Sequence, residues 1–204
     1  MADSFYEYLL KLWIYKDRSD TKLITMYLNT MKAVQKKLIR KSSGGLTFVG
    51  ETNDASALVH KMGHLACFSG GLFALTSSYV TELSEKEKSE YMRLAKEITN
   101  TCHESYVRTQ THLGPETFHF SGVEALSLNE NEKYYILRPE VVESYFYMWR
   151  LTHDQKYRDW AWDVVIALER HCKTDNGYQG LKNVYQSNTS KDDVQQSMYK
   201  QFKK

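Results

Sequence analysis

The sequence predicts an all-α fold in which helical hairpins stand side by side as part of a toroid, with short β-hairpin arms. Three observations predict it. Apolar residues recur at helical spacing over long stretches. The 204-residue chain holds only 2 prolines, so little interrupts its helices. One plan also occurs three times: a helix, a short polar loop, a longer helix, a Gly-bearing turn and an extended arm. Its period of roughly 65 to 75 residues is long for a common helical solenoid. It suits a ring of hairpins whose arms crowd one end, and a helical repeat scaffold for protein binding is the alternative.

The first copy opens at Ser4 and runs through Phe5, Tyr8, Leu9, Leu12 and Trp13. A polar loop over residues 16–20 follows, and a helix is expected over about residues 21–40. That helix carries Ile24, Leu28, Met31, Val34, Leu38 and Ile39 on one broad face. Ser42-Ser43-Gly44-Gly45 stops it, and residues 46–49 read as extended. The second copy begins near Cys67 with small and apolar residues up to Tyr79. Ser84 reads as the N-cap of a long helix, with Glu87 completing a capping box. Gly114-Pro115 breaks that helix, and residues 116–120 alternate like a short strand. The third copy starts at Pro139, a favoured first helical residue, and carries Val142, Tyr145, Phe146 and Trp149. Its loop covers residues 152–155, and its second helix runs from Tyr157 to about His171. Three hairpins are therefore expected as an arc and not as a closed ring. Their inner helices begin near Asp3, Cys67 and Pro139, and apolar faces are left without neighbours at both ends.

Composition narrows the functional classes. A formal net charge of +2, from 27 basic and 25 acidic residues, gives no electrostatic reason to expect nucleic acid or an anionic membrane as partner. No apolar run approaches the roughly 18 residues of a membrane helix. Met1-Ala2-Asp3 is no secretory leader, so the chain translated as given would be cytosolic. The 15 tyrosines could stack on sugar rings or fill a helical core. His60 and His64 have a spacing zinc can use, but no third ligand is near and Gly63 argues against a helix there, so no metal ligand is assigned. Asn188-Thr189-Ser190 is an N-glycosylation sequon, meaningful if the chain enters the secretory lumen.

The string Tyr134-Tyr135-Ile136-Leu137-Arg138-Pro139-Glu140 puts an arginine and a glutamate at the mouth of a helix. Glu140 can be a helix-start acid favoured by the dipole. It can equally be a carboxylate held by Arg138 and kept ionised to act as a base. Here the chain resembles the class I α-1,2-mannosidases, glycoside hydrolase family 47, nearly letter for letter. Further strings agree in order: Asp3-Ser4-Phe5-Tyr6-Glu7-Tyr8-Leu9, Arg40-Lys41-Ser42-Ser43-Gly44-Gly45-Leu46, Lys61-Met62-Gly63-His64-Leu65 with Cys67-Phe68, and Thr101-Cys102-His103-Glu104-Ser105-Tyr106. Gly114-Pro115-Glu116, Met148-Trp149-Arg150-Leu151-Thr152-His153-Asp154 and Asp192-Asp193-Val194-Gln195-Gln196-Ser197 complete the set. The wording is nearest the Golgi branch.

The resemblance implies a calcium-dependent inverting glycosidase on an (α/α)7 barrel. Such an enzyme removes terminal α-1,2-linked mannose from high-mannose N-glycans on glycoproteins, in the Golgi or endoplasmic reticulum. Inversion takes a base that activates water and an acid that protonates the leaving oxygen. Glu140 matches the family's candidate base. Asp3 matches a third essential acidic residue, although it also makes a sound helix N-cap. Arg138, His64 and Leu65 match positions lining the sugar sites. Glu116 is a substrate-site candidate or a solvated arm residue. Cys67 and Cys102 match the family's disulfide pair, which leaves Cys172 as a spare thiol.

Residues 1–197 are thus expected to be part of a mannosidase catalytic domain, and residues 198–204 a divergent tail. By the same resemblance the general acid and the calcium-holding threonine match nothing in this chain. The expectation is an incomplete unit, inactive alone. The alternative is a non-catalytic isoform that binds glycans weakly or partners other chains.

Overall fold

The computed structural model describes residues 3–192, with the side chains of residues 4–191. The tail over residues 198–204, and Asp193 to Ser197 of the last motif, lie outside the described residues. The architecture is mostly helical with short strand pairs.

Among the described residues six α-helices form three hairpins: α1 (Asp3–Tyr15) with α2 (Thr21–Lys37), α3 (Ser69–Tyr79) with α4 (Glu85–Val107), and α5 (Glu140–Thr152) with α6 (Lys156–His171). The helix α3 also packs on α1 and α5, so the shorter, more apolar helices stand next to one another. Local chemistry sets the ends. Asp20 caps α2 by accepting from the Leu23 N–H at 3.4 Å. Ser84 and Glu87 make the expected capping box at the start of α4. His153 turns left-handed at φ +55° and closes α5.

Two boundaries differ from the sequence reading. The second helix stops at Lys37, because Ile39–Lys41 becomes strand β1 and pairs antiparallel with β2 (Thr47–Val49). The Ser42 N–H donates to the Leu46 carbonyl at 2.8 Å, and Gly45 supplies φ +91° in the turn. Pairing with a strand thus overrides the helical spacing of Leu38 and Ile39. Cys67 lies not in α3 but in a five-residue 3-10 helix, His64–Phe68, that feeds into it.

The helix α3 is buried from Gly70 to Thr76, as befits an inner helix. A Cβ on Gly70 would sit 2.3 Å from Thr99 Oγ1 of α4, so this glycine lets the two helices close up. Aromatic residues largely fill the core. Trp13, Tyr27, Phe48, Phe73, Phe118 and Tyr157 are fully buried. A disulfide joins Cys67 to Cys102 of α4 with Cα atoms 5.9 Å apart, the pairing the resemblance implied. Cys172 is buried and unbridged, and burial pushes its thiol up to about 12.

The arms are antiparallel pairs: β3 (Glu51–Thr52) with β4 (Leu58–Val59), β5 (Lys61–Gly63) with β6 (Thr117–His119), β7 (Lys173–Thr174) with β8 (Gly177–Tyr178), and β9 (Gly180–Leu181) with β10 (Lys191–Asp192). The pair β5–β6 joins the arms of different hairpins. The His64 N–H donates to the Glu116 carbonyl at 2.8 Å, and the Glu116 N–H to the Tyr134 carbonyl at 3.0 Å. Tyr135 and Leu181 exchange two backbone bonds of 2.9 and 2.8 Å. This ladder holds the residues before α5 in place. Asn188, of the sequon, is exposed on the loop between β9 and β10.

Candidate active site

The candidate residues meet where the arms reach the helix ends. Glu140 opens α5 behind Pro139, in the first turn, where the helix dipole favours a carboxylate. Leu137, three residues earlier, has φ +59°, an uncommon conformation for a branched side chain. Its neighbours hold that turn: Tyr135 is pinned to Leu181, and its hydroxyl donates to the Arg138 carbonyl at 3.1 Å. Backbone held in a sparsely populated region by over-determined surroundings is common at functional sites. Here it aims Arg138 and Glu140 at different partners.

Glu140 is held by His64, whose Nδ1 lies 3.0 Å from Glu140 Oε2. His64 comes from the start of the 3-10 helix and is 1% exposed, while the Glu140 side chain is 16% exposed. The other ring nitrogen, Nε2, is 2.6 Å from the hydroxyl of Tyr106 on α4. Burial alone would raise the Glu140 carboxyl. Hydrogen bonds from His64 and from the Glu140 backbone N–H, with the charge of Arg138 nearby, offset it and leave Glu140 below the usual carboxylate range. The group is therefore ionised and partly open, as a base that takes a proton from water must be.

Arg138 does not grip Glu140, one of the two arrangements the sequence left open. Its guanidinium makes a bidentate pair with Glu116, Nε to Oε2 at 2.5 Å and Nη2 to Oε1 at 2.6 Å. The cause is the arm: Glu116 is fixed between Tyr134 and His64 by backbone bonds, which brings its carboxylate to the fork. Glu116 is thus neither free in solvent nor separate from the site. Leu65, beside His64, is 42% exposed, an apolar side chain next to the polar cluster. Asp3 is the first residue of α1, and its side chain lies outside the described residues.

Two features escaped the sequence reading. Tyr106 was part of a quoted string without a role, and nothing in the spacing of Tyr106 and His64 announces that they touch. Lys11 of α1 pairs with Glu7 and reaches Glu143 Oε1 at 3.2 Å, with its ammonium 4.3 Å from the Phe68 ring. It thereby ties α1 to α5 and to the 3-10 helix. Glu143 stands three residues after Glu140, and that helical spacing was the available signal. Glu104, another acid near the cleft motifs, is engaged by Arg108 at 2.7 Å. Among the described residues no three His, Cys, Asp or Glu side chains converge as metal ligands.

The arrangement provides an ionised carboxylate, an imidazole that orients it, and an arginine–carboxylate pair capable of hydrogen bonding to hydroxyls. The chain is 55% identical over 201 residues to mannosyl-oligosaccharide alpha-1,2-mannosidase IA of Drosophila melanogaster, covering 98% of this chain and 29% of that protein. It is 54% identical to mannosyl-oligosaccharide 1,2-alpha-mannosidase IA of Sus scrofa, covering 98% and 30%. It is 51% identical to mannosyl-oligosaccharide 1,2-alpha-mannosidase IB of Homo sapiens, covering 98% and 31%. The chain therefore spans under a third of the length of these relatives. The solved alpha-1,2-mannosidase from Trichoderma reesei superposes with a TM-score of 0.79 at 28% identity, over 91% of this chain and 41% of that one. Residues 1–200 match the family described as Glycosyl hydrolase family 47, and the chain belongs to that family.

Proposed function

We propose that this chain supplies the base side of an inverting mannosidase cleft, acting in a family domain that trims α-1,2-linked mannose from high-mannose N-glycans. The observation that carries the reading is Glu140, ionised at a helix start and oriented by the buried His64. In this reading Glu140 takes a proton from the attacking water. His64 holds the carboxylate in place. Arg138, fixed by Glu116, and the exposed Leu65 border the sugar. Asp3 is kept as a further acidic residue of the cleft. The three hairpins are read as an arc of an (α/α)7 barrel. Support comes from the contacts of α3 with α1 and α5 and from the apolar stripes that α1 and α6 leave exposed.

Calcium belongs to this reading only for a whole family domain. The ion takes six to eight oxygen ligands, and the described side chains do not make such a set. No step is routed through it. A Golgi or endoplasmic-reticulum setting follows from the same reading; no helix among the described residues is long and apolar enough to cross a membrane.

The test is mannose release from a high-mannose N-glycan, followed by mass spectrometry. The 204-residue chain alone is expected to release none. Joined to the remainder of a family domain it is expected to turn over, and Glu140→Gln to slow turnover by about 10²–10⁴-fold. Turnover that survives Glu140→Gln would sink the base assignment.

A further inference from the structure

His64 bonds through both of its nitrogens, and that fixes where its protons lie. A carboxylate only accepts hydrogen bonds, so Nδ1 must donate to Glu140 across 3.0 Å. If the ring is neutral, Nε2 is then an acceptor. Its partner at 2.6 Å is the Tyr106 hydroxyl. Tyr106 is 2% exposed, and burial, with Tyr135, Tyr145 and Glu140 close by, pushes its phenol well above the ordinary range. The phenol therefore keeps its proton and has one to give. The groups facing the pair from other elements are Glu140 and Tyr145 on α5 and Tyr135 on the arm.

The slot for this phenol is built. A Cβ on Gly114 would lie 2.2 Å from Tyr106 Cε2, so the turn after α4 carries a residue with no side chain where the ring passes. The ring also packs edge-on against Tyr135, 6.3 Å between centroids. Tyr106 is the hydroxyl the fold presses against Nε2.

We propose that Tyr106 is a positioning residue that locks His64 as the neutral Nδ1–H tautomer, and so sets the basicity of Glu140. With Tyr106 in place, Nε2 has its hydrogen bond and no need of a proton. Glu140 then accepts from a neutral imidazole and keeps its affinity for a proton. Without the phenol, Nε2 is a buried acceptor with no partner, a costly state. The ring then has less to keep its proton on Nδ1, and when that proton moves Glu140 loses the donor that sets its basicity. The proposal rests on the reading of Glu140 as the base.

The experiment needs no sugar. Nitrogen-15 NMR of the histidine side chains in the purified chain reports which nitrogen of His64 carries the proton. The wild-type chain is expected to show a protonated Nδ1 and a bare Nε2 at neutral pH. Tyr106→Phe removes only the hydroxyl. There the Nε2 signal of His64 is expected to move, because the hydrogen bond it accepts is gone. A proton on Nε2 in the wild type overturns the proposal, whether or not the variant folds. So does a Tyr106→Phe variant, folded by circular dichroism, with unchanged His64 signals. Either result would leave the mannose-release test of Glu140 standing. Conversely, release that ignores Glu140→Gln would sink the base assignment without touching the tautomer.

Discussion

Arg138 had two carboxylates to choose from, and the choice has measurable consequences. Glu116 holds it in a fork with little exposure on either side. Glu116→Gln leaves one charge-assisted contact weakened and the guanidinium partly unpaired. The expected loss is about 1.5–3 kcal/mol in urea unfolding, and Arg138→Lys should fail to keep the wild-type stability, since an ammonium cannot make the planar bidentate contact. An Arg138→Lys protein as stable as the wild type would contradict the pairing. His103 offers a second test at this scale. Burial pushes it down to about 4, against opposing pulls from Glu104 and Asp163, and its ring stacks on Trp160 with centroids 3.7 Å apart. Its folded-state value lies below its unfolded one, so the unfolded chain takes up a proton first. Stability is unaffected above about pH 6.5 and falls as the pH drops from there toward 4. The ring is partly solvated, so the contribution is discounted to about 1–2 kcal/mol. Denaturation midpoints at pH 7 and 4.5 should differ less in His103→Gln than in the wild type; equal differences would remove His103 as the cause.

Between elements, the tightest seam is that of α3 and α4. Gly70 lets the helices approach, and the same contact leaves Thr99 Oγ1 buried without a hydrogen-bond partner, alone in this among the described residues. A methyl group in its place would not need one. Thr99→Val is therefore expected to be neutral or stabilising by up to about 1 kcal/mol, whereas Gly70→Ala should destabilise by about 1–3 kcal/mol through overpacking. Thermal melts of the two variants check the pair, and a destabilised Thr99→Val would mean that the hydroxyl does have a partner. At the start of α4, Ser84→Ala removes the hydroxyl that accepts from the Glu87 N–H, leaves the Glu87 carboxylate on the backbone N–H of residue 84, and should cost about 0.5–2 kcal/mol by the same measurement.

At the scale of the molecule, the disulfide and the exposed faces pull in opposite directions. Cys67 and Cys102 are 35 residues apart, and closing a loop of that length stabilises by about 3–4 kcal/mol in the chain-entropy account. Reduction should lower the urea midpoint accordingly, and an unchanged midpoint would show that the bridge is incidental. Against this, Phe5, Tyr8, Leu12 and Tyr15 form a stripe along α1, with Tyr15 88% exposed. Trp162, Val165 and Ile166 do the same on α6, with Trp162 63% exposed. Each large apolar side chain left in water forgoes roughly 1.5–3 kcal/mol. The isolated chain is expected to bind a hydrophobic dye and to associate as concentration rises, by light scattering. Tyr15→Lys with Trp162→Glu should reduce both. A monodisperse wild-type chain at high concentration would refute this.

The sequence by itself determined the three hairpins, because helical periodicity and caps such as Ser84 act over three or four residues and are written in consecutive letters. Through its motif strings it also pointed to the family, and through the family to Glu140 and the Cys67–Cys102 pair. It misplaced the end of α2, since Leu38 and Ile39 fit a helical stripe and only the facing residues of β2 draw Ile39 into a strand. It left open whether Arg138 holds Glu140, its near neighbour in sequence, when its partner in space is Glu116. It gave Tyr106 no task. The tertiary structure decided all three, for one physical reason. Hydrogen bonds and ion pairs go to whatever group the packing brings within about 3 Å, and here that packing is set by arms from different hairpins, far apart in the chain.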